Sequence, residues 1–321
     1  MYFCPNCKHL LLKEKKDVRS FLKCTNANCD LKKKIFPIYN GIPILLPIGN
    51  EKCIFKDIDS YEHMNAGYSR RDANISKKFN FNKRLRNIIY GINKQTINNY
   101  RKLIKLLNNE SRILIIGGGS EGRGMDEFFE YISALNIKVE SLDVYLSDNI
   151  DIIADAHYLP YSDFSFDVVI IQAVLEHCLD PSTVVQEIYR VLKEGGTVYA
   201  ETPFLQNVHE GAYDFTRFTH SGHRWLFKEF IEIDSGPIAG VFSGSLFVFS
   251  YAINGLFRNR KIGILIRLLF FRLCTFLDTL TPKNYNIDGA SCCYFIGYKG
   301  QDYNVNNKSD WIVNYYSGAQ K

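Results

Sequence analysis

Four apolar residues in succession, Ile113 to Ile116, lie between polar residues and a run of glycines. Such a run is the pattern of a strand buried on both faces of a parallel sheet. Gly117, Gly119 and Gly122 then permit a tight turn and let a ligand approach the main chain, while the helix that follows offers its N-terminal amides. That helix runs from Met125 to Leu135, and the next strand, K-V-E-S-L-D, ends in Asp143. Val168 to Ile171 repeats the buried-strand pattern, and Ile231 to Asp234 and Cys292 to Tyr298 read as two more strands. Elsewhere apolar residues recur at helical spacing. Leu85, Ile88, Ile89, Ile92, Tyr100, Leu103, Ile104 and Leu107 predict one or two amphipathic helices leading into the strands. Ile262, Leu265, Leu269, Leu273, Phe276 and Leu280 predict another, preceded by Ser235 to Phe257, which carries no charge. Residues 49–82 read as a linker with a short helix, and the tail from Gln301 as a surface segment.

The 321 residues suffice for one large or two ordinary domains. The net charge of +5 conceals a strong segregation: residues 1–108 sum to +14, residues 109–234 to −14 and residues 235–321 to +5. A basic first third implies either a polyanionic partner, such as nucleic acid or an anionic membrane, or internal neutralisation of an acidic core. The start, Met-Tyr-Phe-Cys, has no basic segment leading a hydrophobic run. The expected location is therefore the reducing cytoplasm, with a peripheral position at the inner face of a membrane as an alternative, and the nine cysteines are not expected to form disulfides. Cys4 and Cys7 form C-x2-C; after sixteen residues Cys24 and Cys29 form C-x4-C. Two such knuckles place four thiolates around a tetrahedral zinc ion with no open position. Its role is to fold a small segment, expected to have a core of its own.

The glycine turn alone fits a nicotinamide site as well as any other nucleoside site. The sequences that follow, I-I-A-D-A-H-Y-L-P-Y-S-D-F-S-F-D-V-V-I-I-Q-A-V-L-E-H and R-V-L-K-E-G-G-T-V-Y-A-E-T-P, resemble class I S-adenosylmethionine-dependent methyltransferases of the type 11 group over residues 113–203. The resemblance implies an α/β fold, a doubly wound, mostly parallel seven-stranded sheet with an antiparallel last strand. It also implies Gly117 and Gly119 beneath the methionine and ribose of the cofactor, Asp143 on the ribose hydroxyls and Asp155 with Ala156 at the adenine. Gln172 would line the pocket near the sulfonium, and His177 its wall. Two positions depart from the family pattern: Ile115 stands where an acid is usual, and Glu121 where a glycine is. Residues 1–47, with K-I-F-P-I-Y-N-G-I-P-I-L-L-P, resemble the small zinc-ribbon activators of RNA and protein methyltransferases. The implied organisation is a ribbon over 1–48, linker and lid helices over 49–108, the methyltransferase core over 109–236, a hydrophobic helical insertion over 237–289, the last core strand over 290–300 and a tail.

After the fifth strand comes F-L-Q-N-V-H-E-G-A-Y-D-F-T-R-F-T-H-S-G-H-R-W-L-F, rich in histidine, charge and aromatic rings. Loops at the carboxyl ends of parallel strands carry function, so this is the expected acceptor site. His209 is the candidate general base, with Glu210 or Asp214 orienting its ring. His220 and His223 are either a pair of metal ligands or packed, hydrogen-bonded core histidines. The insertion, with Arg258, Arg260, Lys261, Arg267 and Arg272 flanking its apolar stripe, reads as a monotopic membrane hairpin or as a helical subdomain covering the pocket or a second subunit. The expected activity is methyl transfer from S-adenosylmethionine to a small-molecule or lipid- or glycan-linked acceptor. The alternatives are RNA, docked through the basic ribbon region, and a non-catalytic S-adenosylmethionine-binding scaffold.

Overall fold

The structure is a computed structural model that describes residues 2–16, 19–29, 35–48, 94–119, 125–147, 149–300 and 308–320. The linker over 49–82, the helical positions Leu85 to Ile92, and Glu121 and Gly122 lie outside the described residues.

Strands β1 (Leu11–Lys16), β2 (Arg19–Cys24), β3 (Ile35–Tyr39) and β4 (Ile42–Leu45) come first, followed by helix α1 (Lys94–Ile104). The alternating part comprises β5 (Arg112–Ile116), α2 (Asp126–Ala134), β6 (Lys138–Asp143), β7 (Ile152–Ala154), β8 (Phe166–Gln172), α3 (Pro181–Val191) and β9 (Leu192–Pro203). Then come α4 (His220–Leu226), β10 (Ile231–Ala239), α5 (Val241–Phe257), α6 (Arg260–Leu280), α7 (Lys283–Asp288), β11 (Cys292–Tyr298) and α8 (Lys308–Asn314).

β5 lies inside the sheet, parallel to β6 on one side and β8 on the other. Its unbroken apolar run serves both faces, because successive side chains point to opposite sides. Ile113 and Ile115 join Val168, Ile170 and Tyr199 in one cluster under α1 and α2. Leu114 and Ile116 join Val169, Ile171 and Val198 in another under α3. From β5 to β11 the spatial order is β7-β6-β5-β8-β9-β11-β10, with β11 antiparallel to both neighbours. The strand order reverses between β5 and β8, which places a crevice at the carboxyl ends of these strands.

Strands β5 to β11 number seven, and the described residues form a sheet of eleven, because β4 pairs in parallel with β7 and brings β3, β2 and β1 onto the edge. The expectation that the N-terminal segment has a separate core is corrected by the same contact. Leu11, Leu22, Phe36 and Leu45 belong to the cluster that contains Leu114 and Val169. Phe3 N donates to Pro160 O at 2.9 Å, and Lys8 Nζ reaches Glu187 at 2.7 Å. Arg101 pairs with Glu127 and Lys102 with Asp234, so part of the basic first third neutralises the acidic core.

α5 and α6 form a helical hairpin between β10 and β11. Its base is tied by Asp278, whose carboxylate accepts from Gly240 N, Phe242 N and Ser243 N at the start of α5. Near its tip, Gly263 lies so close to α5 that a Cβ would come within 2.5 Å of Ser250 O. Otherwise the hairpin buries little. Gly263 is the sole buried residue of α6, and Leu256, Phe257, Leu269, Phe276 and Leu280 are 74%, 58%, 66%, 58% and 65% exposed. Among the described residues no helix is long and apolar enough to cross a membrane. The C-terminal segment is more than a surface tail: Trp311 of α8 lies under the guanidinium of Arg224, 4.3 Å from ring centre to Cζ.

Candidate functional site

The crevice opens into a cleft of about 1820 Å³ lined by Gly117, Gln172 and Glu201 on the sheet side and by Phe247, Arg272 and Phe276 of the hairpin. Gly117 has φ +78°, and a Cβ there would meet Val174 Cγ2 at 2.2 Å, so the turn can take this course only with glycine. Gly119 N donates to Asp143 Oδ2 at 3.0 Å, and Tyr145 N donates to Oδ1 at 3.2 Å, which fixes Asp143 at the end of β6 beside the turn. Asp155 and Ala156 are buried. The Asp155 carboxylate accepts from His157 N at 2.9 Å and lies 2.6 Å from His157 Nδ1, capping a short 3-10 turn. His157 Nε2 in turn accepts from Asp180 N at 3.1 Å, which ties this loop to the start of α3. Ile115, the position where an acid was expected, lines the cleft and packs in the apolar cluster.

Helix α1 sets a polar face over the strand ends. Thr96 Oγ1 donates to Glu201 Oε1 at 2.8 Å, and Tyr100 Oη donates to Gln172. Tyr199 Oη donates to the same glutamate and receives a bond of 3.4 Å from Asn99 Nδ2. Burial raises the pKa of Glu201. This network was missed in the sequence. Its signal was a helical stripe in which Thr96 and Asn99 share a face with Tyr100 and Leu103.

The loops after β8 and β9 meet beside this cleft. Ala173, at the end of β8, takes φ +52°, a left-handed conformation that a non-glycine residue rarely adopts. The chain then turns inward through Leu175 to His177. Glu176 has a side chain with 0% exposure, and burial pushes its carboxyl up to about 8. His177 Nδ1 lies 2.7 Å from Tyr213 O, and its Nε2 lies 3.8 Å from Glu176 Oε1. His209 Nε2 lies 3.8 Å from the same oxygen, and its Nδ1 lies 3.4 Å from Asp214 Oδ2. Asp214, not Glu210, is the acid on the His209 ring. Burial acts to raise the pKa of Asp214, but hydrogen bonds from Arg217 and His209 N outweigh it and hold the carboxyl down at about 2.

His220 and His223 do not converge as metal ligands. His220 Nε2 lies 2.9 Å from Ser235 Oγ, and His223 Nε2 lies 3.1 Å from Thr202 Oγ1. Burial lowers their pKa values to about 4 and about 3, so both are neutral packing residues at pH 7.

The four N-terminal cysteines lie together, all Sγ atoms within 4.8 Å of one another, with Cys4 to Cys29 at 3.7 Å and Cys7 to Cys24 at 3.4 Å. Zn–S bonds of about 2.3 Å in a tetrahedron require sulfurs about 3.8 Å apart, so the donor set fits such an ion. Asn26 N donates to Cys24 Sγ at 3.4 Å, a contact that favours a thiolate.

Residues 115–200 match the family described as a methyltransferase domain, about a quarter of the chain and the part that bears the glycine turn. That match supports a methyltransferase. No curated protein matches the chain in sequence. Among solved structures, Haemonchus contortus phosphoethanolamine N-methyltransferase 2, crystallised with phosphomonomethylethanolamine and S-adenosylhomocysteine, is 17% identical, with 67% of this chain and 56% of that chain covered and a TM-score of 0.43. A chain from a Haloferax volcanii complex containing a methyltransferase activator is also 17% identical, with 75% and 98% covered and a TM-score of 0.41. A Methanosarcina mazei S-adenosylmethionine-dependent methyltransferase is 18% identical, with 42% and 86% covered and a TM-score of 0.33.

Proposed function

We propose that this chain is an S-adenosylmethionine-dependent methyltransferase that acts at a membrane surface on a small-molecule or lipid- or glycan-linked acceptor. The observation that carries the acceptor class is the double role of the α5–α6 hairpin. Phe247 and Phe276 line the cleft at the strand ends, while Leu256, Phe257 and Leu269 face solvent. Arg258, Arg260 and Lys261 cluster at the hairpin tip, next to Leu256 and Phe257, the arrangement that suits anionic headgroups with apolar chains beneath them.

The cofactor cradle consists of Gly117 and Gly119 under the methionine and ribose, Asp143 on the ribose hydroxyls, Asp155 and Ala156 at the adenine end, and Gln172 near the reacting sulfur. When bound, the cofactor supplies a methyl group on a positively charged sulfur. The protein's task is alignment and exclusion of water. Tyr100 holds Gln172 in place, and the hairpin forms one wall of the cleft. His209, oriented by Asp214, is the group that takes a proton from a hydroxyl acceptor. Cys4, Cys7, Cys24 and Cys29 hold a structural zinc that shapes the sheet edge.

Incubation of the chain with methyl-labelled S-adenosylmethionine and a whole-cell extract tests the reading. Label in the lipid-extractable or small-molecule fraction supports it; label confined to RNA overturns the acceptor class. Failure to bind S-adenosylhomocysteine in calorimetry overturns the reading as a whole. The surface role is tested with phosphatidylglycerol vesicles. Wild type is expected to co-sediment, with partial release by salt, and the doubly substituted Leu256→Asp, Phe257→Asp chain to stay in the supernatant. Equal recovery of the two would leave the hairpin as a lid or subunit contact.

A further inference from the structure

The carboxylate of Glu176 is fully buried, and neither of its oxygens has a hydrogen-bond partner. A buried carboxylate without a partner is costly, so the group stays protonated until a cation or a hydrogen-bond partner meets it. The nearest guanidinium does not provide one, since Arg217 is committed to Asp214 and to the carbonyls of Gln206, Asn207 and Thr216. What does face Glu176 is a pair of imidazole nitrogens. His177 Nε2 and His209 Nε2 each lie 3.8 Å from Glu176 Oε1, and one ligand atom from each of the three residues falls within a 4.8 Å sphere of separation. The two rings stand nearly perpendicular, at 80°, with centres 4.9 Å apart.

The far side of each ring completes the pattern. His177 Nδ1 is held by a backbone carbonyl, that of Tyr213, and His209 Nδ1 lies against the carboxylate of Asp214. Each partner stabilises the tautomer protonated on Nδ1 and leaves the Nε2 lone pair aimed at Glu176. Outer hydrogen bonds of this kind orient the histidines of metal centres. The backbone is pinned as well: Glu176 O accepts from Phe215 N at 2.7 Å, which locks the loop after β8 to the loop after β9.

We infer that Glu176, His177 and His209 form a binding site for a divalent first-row transition-metal ion, with two imidazoles and one carboxylate on one side and open positions on the other. Metal–ligand bonds of about 2.0–2.2 Å place such donors roughly 3–3.5 Å apart. Each histidine nitrogen lies 3.8 Å from Glu176 Oε1 and the donor atoms all lie within 4.8 Å of one another, so closure needs side-chain adjustments of about an ångström or less at the glutamate and a rotation of the two rings toward each other. Two imidazoles favour zinc, iron, nickel or copper over magnesium and calcium, and Mn²⁺, the weakest-bound of the first-row ions, serves here as a spectroscopic probe. Glu176 is enclosed, whereas the His177 and His209 side chains are 23% and 37% exposed, so the open positions face the loop region assigned to the acceptor. The ligand that completes the site is an acceptor bearing an oxygen donor, a hydroxyl or a carboxylate. This specifies the acceptor chemistry of the proposed methyltransferase, and with an ion present it replaces the role of His209 as base with that of a ligand.

The test uses the full chain with its cysteine site loaded with zinc, titrated with Mn²⁺ and followed by electron paramagnetic resonance of the free ion and by thermal shift. Wild type is expected to bind one further equivalent and to melt at a higher temperature when it does. Glu176→Gln, nearly isosteric with the protonated side chain of the metal-free state, is expected to fold about as well without metal and to bind Mn²⁺ at least about tenfold more weakly. His209→Ala is a second variant with the same expected loss. S-adenosylhomocysteine affinity, measured on the same samples, is expected to be unchanged, so a failure of the metal site and a failure of the methyltransferase reading are distinguishable. Wild type that takes up no Mn²⁺, Co²⁺ or Zn²⁺ beyond the cysteine equivalent overturns the inference, as does equal metal affinity in Glu176→Gln.

Discussion

The cysteine cluster and the histidine–glutamate cluster are assembled in opposite ways. Cys4, Cys7, Cys24 and Cys29 come from two turns within one small antiparallel ribbon, and their four sulfurs form a complete donor set. Glu176 and His177 come from the loop after β8 and His209 from the loop after β9, brought together by the parallel pairing of those strands. The first set has no position left for a substrate; the second is enclosed on one side and open on the other. A closed set built from local sequence stabilises, whereas an open set built across strand ends is placed to act on something else.

The sharpest way to break that comparison is Cys24→Ser. With one thiolate gone the zinc proposed for this set is expected to leave, which metal analysis reads. Because Leu11, Leu22 and Phe36 share a core with Leu114 and β4 extends the sheet beyond β7, the loss should spread beyond the ribbon. The expected outcome is protease cleavage in the ribbon and a lower melting temperature for the whole chain. An unchanged melting transition would mean that the shared cluster contributes little. The complementary substitution, His209→Ala, compared with wild type in chain without an ion at the Glu176 cluster, is expected to lower kcat by about 10²–10⁴-fold, the range that loss of a proton acceptor costs. Its melting temperature and cofactor affinity should hardly move. If it melts like Cys24→Ser while keeping its rate, the two clusters are alike and the comparison fails.

These two clusters also mark what could be read in the chain. The cysteine cluster was legible because C-x2-C and C-x4-C confine the four thiols to short turns. The glycine turn, Asp143 and the apolar run from Ile113 to Ile116 were legible for the same reason: each expresses a constraint among near neighbours. Glu176 was not, since nothing local distinguishes a buried carboxylate from a solvated one at a strand end. It becomes distinctive only when His209, 33 residues later, arrives through the pairing of β8 with β9. The contact between β4 and β7 was illegible for a related reason. A four-residue strand at a ribbon's edge exposes the same backbone groups whether it ends a sheet or continues one. The insertion falls between these cases: its helical stripe in Ile262 to Leu280 was plain, but its closeness to the cleft depended on Asp278 and Gly263.

A smaller effect is expected at Asp143, which belongs to the local, legible kind of site and is proposed to serve the cofactor. Its carboxylate already receives Gly119 N and Tyr145 N. Asp143→Ala should therefore weaken S-adenosylhomocysteine binding by about 1.5–3 kcal/mol, the worth of a charged hydrogen bond, with some of the loss arising from a looser turn. Calorimetry measures it. Affinity equal to wild type would remove Asp143 from the cofactor site and leave it a purely structural residue.

The smallest effect concerns the histidines that do not join the open cluster. His223 is fully buried beside Thr202 and Phe227, and burial lowers its pKa from 6.5 to about 3; His220 is lowered to about 4. Above pH 6.5 both are neutral whether the chain is folded or not, and they contribute no pH dependence. As pH falls below 6.5 the unfolded chain takes up protons that the folded chain refuses, so stability is lost progressively until the folded-state values are reached. Each histidine then contributes a slope of about 1.4 kcal/mol per pH unit. Denaturant midpoints at pH 7 and pH 5 measure it. His223→Gln removes one titrating group, and the loss of stability between those two values should shrink by about one proton's worth, whatever the variant's stability at pH 7. A slope identical to wild type would show that His223 is protonated in the folded chain, and with it would go the distinction between packing histidines and those that face Glu176.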